Sequence, residues 1–511
     1  MSGWALLVPK LAIVAAVLVA LVIDSLPVGR PRRWAAAAVL GITVAGALFA
    51  GFELGSSGSF WHGALVVDRF SVFADLVLLS LAAVLVLASS GSVGAGAEAG
   101  DFLLLVYLSL LGASALAAAG NLIALFLAVE LGIIPTWSLV AFKTGDRRSF
   151  EAALKYFLLA IFASALIFYG LSLVYGATGS VDLPLPAHTQ SVGLLLAGVG
   201  LVLVGFGFEL ASFPFHQWLP DVFEVAHGEV AAFLAVAPKL AAIVALGRLL
   251  SGLTENAAGW TAAVAVLSLV TMFWGNVVAF AQTSLRRLLA YSAIAHSGYA
   301  LVGIAAGNLP GYRGAVLYFA AYASGVVGVF LVAMLLEREG YDDRLAGLAG
   351  LGRRTPWLAA ALTVSLLSLI GIPLFAGFWG KFSVFWGAVQ GGKTWLAVFG
   401  VVNSAIALGY YGRIIQRLYL EPSVERAAAA AQPTLAAEGS NTAVPEAPYL
   451  TASFGRPFDA AAPATVDVDS KDDLGPPPRE VSLPLRVALV LAVVVTVVVG
   501  VVPRLLFAAL G

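Results

Sequence analysis

The sequence predicts an all-α polytopic membrane protein of about fourteen transmembrane helices. Three observations carry that reading. Hydrophobic residues make up 60% of the 511-residue chain, against roughly 45–50% in a soluble domain. Charged residues make up only 11%. The apolar residues also fall in long continuous runs, near the 20 or so residues a membrane-crossing helix needs. Transmembrane β-strands would be near 10 residues long with alternating polarity. So much apolar surface cannot be hidden in a soluble core, and lipid must be its main solvent.

In chain order the runs are 4–26, 34–52, 66–90, 101–119, 121–142, 151–175, 191–212, 228–251, 260–282, 288–307, 313–336, 357–388, 394–418 and 485–509. The first has no small-residue cleavage site behind it, so it reads as a true span rather than a cleaved leader. Basic residues punctuate the series at Arg30, Arg32 and Arg33, at Lys143, Arg147 and Arg148, at Arg286 and Arg287, and at Arg338, Arg344, Arg353 and Arg354. With fourteen spans all four clusters fall on one side. Positive charge marks that side as cytoplasmic and places both termini outside. A miscount by one would split the clusters.

The segment 421–483 breaks the pattern. It is rich in Ala and Pro, with ten acidic and four basic residues. It reads as a disordered acidic cytoplasmic loop before a last helix within 484–511. A tolerated insertion is the plain reading of it, and a docking segment the alternative. The chain has no cysteine, which removes disulfides, thiolate iron–sulfur ligands and Cys-based zinc sites. Any redox chemistry therefore runs elsewhere. The net charge of −1 says little about partners, and nothing points to nucleic acid.

An ionisable side chain at mid-bilayer costs roughly 2.5–3.5 kcal/mol on insertion scales, so each one asks for a reason. Glu130, in "NLIALFLAVELGIIPTW", lies about nine residues into its span, or ~14 Å deep at 1.5 Å per residue. Lys239, in "AAFLAVAPKLAAIVAL", is as central, and its neighbour Pro238 bends the helix locally. His296 lies in "RRLLAYSAIAHSGYALVG" and competes with a plain bonded core histidine. Lys381 follows the Pro373 break in "SLIGIPLFAGFWGKFSVF" and needs a wet or paired environment. Lys155 is only five residues inside span six, where snorkelling to the interface serves as well. His216, after Pro214, fits an interfacial loop equally well. Glu209 stands alone in "GVGLVLVGFGFELASFPFHQWLPDV" with two prolines behind it. Glu, Lys and His at similar depth on different helices suit a proton relay linked by water. An anionic-substrate carrier would show Arg at mid-depth, and a metal carrier paired carboxylates or His clusters. Neither appears.

The segments "ELASFPFHQWLPDVFE" (209–224), "SLRRLLAYSAIAHSGYALVG" (284–303) and "SLIGIPLFAGFWGKFSVF" (368–385) resemble the antiporter-like subunits of respiratory complex I. The resemblance covers about residues 65–420 and is greatest to the subunit N type of bacterial NADH–quinone oxidoreductase. The His296 context and the lysine of "GFWGKF" favour that type over subunit M. The resemblance implies three N-terminal helices in 1–100 and two inverted five-helix repeats, spans 4–8 in 101–252 and spans 9–13 in 253–420. Spans seven and twelve would be broken. The two proline breaks lie five spans apart, an odd offset that suits inversion.

The same resemblance implies proton-translocating roles for Glu130, Lys155, His216, Lys239, His296 and Lys381, with Glu130 and Lys155 interacting. At Glu209 the family pattern has lysine. The charge is reversed here, and "EVAHGEV" (224–230) adds His227 and Glu229. Glu209 could carry protons, pair with Lys239 and fix the first half-channel in one state, or mark a paralogue that no longer pumps there. That a protonatable group is kept favours the first account. The expected function is proton translocation by a membrane-arm subunit of a redox-driven translocase in the bacterial inner membrane. No cofactor is expected in this chain: NADH, FMN, iron–sulfur clusters and quinone would sit in partner subunits. Expected partners are the neighbouring antiporter-like subunit, the small membrane subunits and lipid. The alternatives are a multi-subunit sodium/proton antiporter and a non-pumping scaffold of a related hydrogenase complex.

Overall fold

The structure, a computed structural model, describes residues 3–27, 30–90, 98–143, 145–186, 189–253, 257–341, 343–422 and 483–510. Among the described residues thirteen helices are long and apolar enough to cross a membrane. In chain order the helices are α1 (Val8–Ile23), α2 (Arg30–Phe52), α3 (Arg69–Ser89), α4 (Ala99–Ala117), α5 (Leu122–Val140), α6 (Arg147–Thr178), α7 (Val192–Glu209), the short α8 (Trp218–Val225), α9 (Gly228–Ser251), α10 (Ala257–Ala279), α11 (Leu285–Ala305) and α12 (Leu309–Arg338). They continue with α13 (Leu351–Arg354), α14 (Pro356–Ile370), α15 (Ala376–Gln390), α16 (Thr394–Leu420), α17 (Leu483–Val501) and α18 (Arg504–Leu510). Span twelve of the sequence is the pair α14 and α15, each of 15 residues and so not counted among the thirteen. The last run is shorter than 485–509 suggests, because Pro503 separates α17 from α18. The segment predicted as an acidic loop lies, but for its ends, outside the described residues.

Caps set the helix starts. Asp68, Asn121, Asp146, Ser191, Ser284 and Asn308 each accept a hydrogen bond from a free backbone N–H in the first turn of the following helix. Between α2 and α3 a small antiparallel hairpin pairs Gly58–Phe60 with Leu65–Val67.

Three helices form the interior. α9, α11 and α12 have 94%, 94% and 89% of their most apolar stretch buried in protein, whereas α2 has 22%. The first three are apolar all round and rich in Ala and Gly, so neighbours approach on every side. α2 leaves most of its surface uncovered by this chain. The buried helices carry Lys239 and His296, so burial and charge coincide.

Two of the long apolar runs are interrupted. α7 ends at Glu209, and Ala211 takes a left-handed backbone with φ of 51°. No lipid group can satisfy the freed backbone there, so protein must. Ser212 N–H donates to Gly207 O at 2.8 Å, Trp218 Nε1 to Phe208 O at 3.1 Å, and Phe213 N–H to Thr271 Oγ1 at 3.1 Å. α14 ends the same way. Gly371 has φ of 90°, and Ile372 N–H donates to Leu367 O at 3.1 Å. Past the gap, Gly377 N–H donates to Ser368 Oγ at 3.1 Å.

Candidate functional site

Each break leaves one backbone carbonyl that a lysine takes up. Lys239 is fully buried on α9, and its Nζ donates to Leu210 O at 3.0 Å. It also donates to Ser297 Oγ at 2.9 Å and Ala293 O at 3.3 Å on α11. Lys381, on α15, donates from Nζ to Ile370 O at 2.8 Å, the last residue of α14, and its Nζ lies 4.7 Å from the centre of the Tyr299 ring. A helix C-terminus carries partial negative charge on its free carbonyls, so it is a site for a cation. The prolines and glycines that break the helices thus make the acceptors that hold the two ammonium groups.

Glu209 is the last residue of α7 and is 6% exposed. It faces a cavity of about 20 Å³ lined by Ser109, Gly112, Gly132, Thr136, Tyr156 and Pro238 among others, room for about one water. Its Oε1 is buried without a hydrogen-bond partner, and so is Oε1 of Glu130 on α5. A lone pair left dry costs about 1–3 kcal/mol, so both oxygens face unmet hydrogen-bonding demand. Glu130 and Lys239 are the charged groups that act on Glu209. His296 on α11 bonds through Nδ1 to Tyr318 OH at 2.5 Å and feels both Lys239 and Lys381. The order is therefore Glu130, Glu209, Lys239, His296, Lys381. Each member lies within electrostatic reach of the next, and they come from α5, α7, α9, α11 and α15.

Two residues singled out by the sequence lie off this row. Lys155, half-exposed on α6, pairs with Glu151 at 2.9 Å and Asp221 at 3.2 Å, rather than with Glu130. Asp221 and Glu224 of α8 pair in turn with Arg287 at 3.5 and 2.6 Å, so Lys155 belongs to a surface ion network that ties α8 to α6 and α11. His216 lies in the gap after α7 and is 8% exposed. Its Nε2 is 2.9 Å from Trp274 Nε1. An indole N–H can only donate, so Nε2 accepts and the ring proton sits on Nδ1, which has no partner. At the mouth of α9, burial pushes the His227 imidazole down against the upward pull of Glu229.

Several polar residues of the interior were not singled out from the sequence. Lys10 on α1 pairs with Asp75 on α3 at 2.6 Å, and Ser114 Oγ on α4 donates to Asp75 at 2.5 Å. The acid in "VFADLVLLS" was the available signal. Asn276, Tyr299, Asn403 and Tyr410 form a second buried polar group. "GVVNSAIALGYYG" places Asn403 and Tyr410 two helical turns apart on one face, which marks a buried face only once a partner is known. Among the described residues no cluster of His, Cys, Asp or Glu is placed to hold a metal ion.

A family profile described as "NADH:quinone oxidoreductase/Mrp antiporter, TM" matches residues 119–407, more than half of the chain. The chain belongs to this family. Its antiporter-like fold and its likeness to complex I subunits recur among relatives and solved structures. NADH-quinone oxidoreductase subunit N of Desulfovibrio desulfuricans is 39% identical over 427 residues, 78% of this chain and 83% of that one. The subunit N of Granulibacter bethesdensis is 38% identical over 397 residues, 75% and 81% of the two chains. A chain of respiratory complex I from Thermus thermophilus with bound aureothin is 29% identical, with TM-score 0.76 and 99% of both chains covered. A chain of the Mrp complex from a Dietzia species is 23% identical with TM-score 0.79, covering 100% of this chain and 96% of that one. At that identity the likeness is one of fold. The antiporter-like subunit described here is thus a multi-pass membrane protein of a family whose members serve in multi-subunit membrane complexes.

Proposed function

We propose that this chain translocates protons across the bacterial inner membrane as a membrane-arm subunit of an NADH–quinone oxidoreductase. The observation that carries the reading is the row Glu130, Glu209, Lys239, His296 and Lys381, in which two buried lysines sit on carbonyls freed by helix breaks. Such groups are costly in lipid and serve where charge or protons cross. Residues 101–252 and 253–420 would each build one half-channel, as inverted repeats, with both termini outside. Quinone reduction in partner subunits would change hydration and protonation along the row. NADH, FMN and iron–sulfur clusters would reside in those partners. The neighbouring antiporter-like subunit and the small membrane subunits would hold the chain in place. His216, in the gap after α7, would feed the row, and Lys155 would reach it only through its surface pairing with Asp221 of α8.

The reading is tested in inverted membrane vesicles. Glu130→Ala and Lys381→Ala are expected to lower NADH-driven proton pumping by about tenfold or more, as loss of a positioned proton-transfer group does. Unchanged pumping in both would remove these residues from the path. The fold likeness to the Mrp complex favours a second reading, a sodium/proton antiporter subunit. In that case expression of the chain with its antiporter partners rescues a sodium-sensitive strain that has no NADH dehydrogenase.

A further inference from the structure

The two buried lysines are held differently. Lys239 donates to three acceptors, the full capacity of an ammonium. Among the described residues Lys381 Nζ donates to one, Ile370 O, and its other neighbour is the face of Tyr299. A lysine on a flexible four-carbon stem with one hydrogen bond is placed only as well as that second neighbour is placed.

Tyr299 is itself fixed from behind. It is 1% exposed, and its ring also meets the edge of Phe385, one turn beyond Lys381 on α15, at 6.3 Å. Its hydroxyl accepts from Asn276 Nδ2 on α10 at 3.1 Å and has a second contact with Ser404 on α16. Asn276 is the hub. Its Nδ2 also donates to the Oδ1 and backbone O of Asn403 at 3.3 Å each, and its Oδ1 accepts from Tyr410 OH at 3.1 Å. Asn403 is anchored in turn by donating to Phe399 O at 3.0 Å. α10, α11 and α16 are thus pinned together behind the ring that faces Lys381.

A chain of hydroxyls in a membrane protein suggests a proton wire, but its middle here is an amide. A carboxamide neither takes up nor releases a proton near neutral pH, so protons cannot hop through Asn276. The group acts by geometry. We infer that Asn276, Tyr299, Asn403 and Tyr410 form a positioning frame for Lys381, holding the aromatic face that keeps its ammonium at the α14–α15 break. This rests on the proton-path reading above, and it assigns four residues to that path that touch no proton themselves.

The test uses the intact complex reconstituted in proteoliposomes, with proton translocation per NADH oxidised as the readout. Asn276→Leu removes the hub at similar volume. It is expected to lower translocation by about fivefold or more, the factor that loss of a buried hydrogen bond sets. Tyr299→Phe removes one hydroxyl and leaves the ring untethered, and is expected to lower it by about fivefold. It carries the test if Asn276→Leu does not assemble. Each substitution is also made on Lys381→Ala. A frame that acts through Lys381 adds no further loss there, whereas a general packing defect adds its own. Unchanged translocation in Tyr299→Phe, or losses that add to that of Lys381→Ala, overturns the frame and leaves the proton path standing. Unchanged translocation in Lys381→Ala removes Lys381 from the path and the frame with it.

Discussion

At the scale of the residue, Glu209 departs most from the pattern its neighbours set. Its Oε1 has no hydrogen-bond partner and faces a cavity with room for about one water, while Lys239 already has three acceptors of its own. No ion pair within 4.0 Å joins the two, so Glu209 is not locked as the fixed partner of Lys239. That favours the proton-carrying account over the frozen one. Glu209→Gln keeps the shape and removes the titration, and should lower pumping by about tenfold or more. Glu209→Lys restores the residue of the family pattern but places it in surroundings built around a carboxylate beside Lys239, so we expect loss of pumping rather than improvement. Both are read as NADH-driven proton uptake at matched amounts of assembled complex. Glu130, Glu209, Lys239 and Lys381 were legible in the sequence because a charge at mid-span has no cheap explanation. Lys155 was not. A lysine five residues inside a helix can reach inward or outward, and Asp221, 66 residues away, decided it.

At the scale of the element, the breaks in α7 and between α14 and α15 were legible from proline and glycine. What those interruptions do for the lysines was not. The second break depends on close approach: a Cβ on Gly377 would lie 1.9 Å from Ser368 O. Gly377→Ala must push the two helix halves apart, and should destabilise by about 1–3 kcal/mol, as overpacking does. A lowered thermal midpoint of the purified complex, together with lowered pumping, checks it. The same geometry governs α4 and α5, where a Cβ on Gly112 would come within 2.3 Å of Gly132 N. That contact closes the wall of the Glu209 cavity. The five-residue gap between α14 and α15 also explains why span twelve read as one long run of 32 residues. Hydropathy does not see a helix that stops and restarts.

At the scale of the whole molecule, a buried ion pair joins two of the N-terminal helices, α1 and α3, and Ser114 ties that pair to α4. Lys10 is 7% exposed and Asp75 fully buried, and Ser114 bonds to both. Asp75→Ala leaves an ammonium with no counter-charge and should cost about 3–5 kcal/mol, seen as a lower thermal midpoint or loss of assembly. Replacing both partners, Lys10→Met with Asp75→Leu, should recover most of that loss, since it is the unpaired charge that is expensive. A double variant as unstable as Asp75→Ala would mean the pair does more than clamp. The sequence by itself determined the solvent, the order of the helical runs and where two of them are interrupted. Each of these follows from local composition against a bilayer of fixed thickness. Only the tertiary structure decided which charges meet. It set α9 and α11 at the centre, put Lys239 and Lys381 on freed carbonyls, sent Lys155 to the rim and joined Asn276 to Tyr299. Those contacts span up to 66 residues, and no local pattern encodes a pairing across helices that are alike in composition.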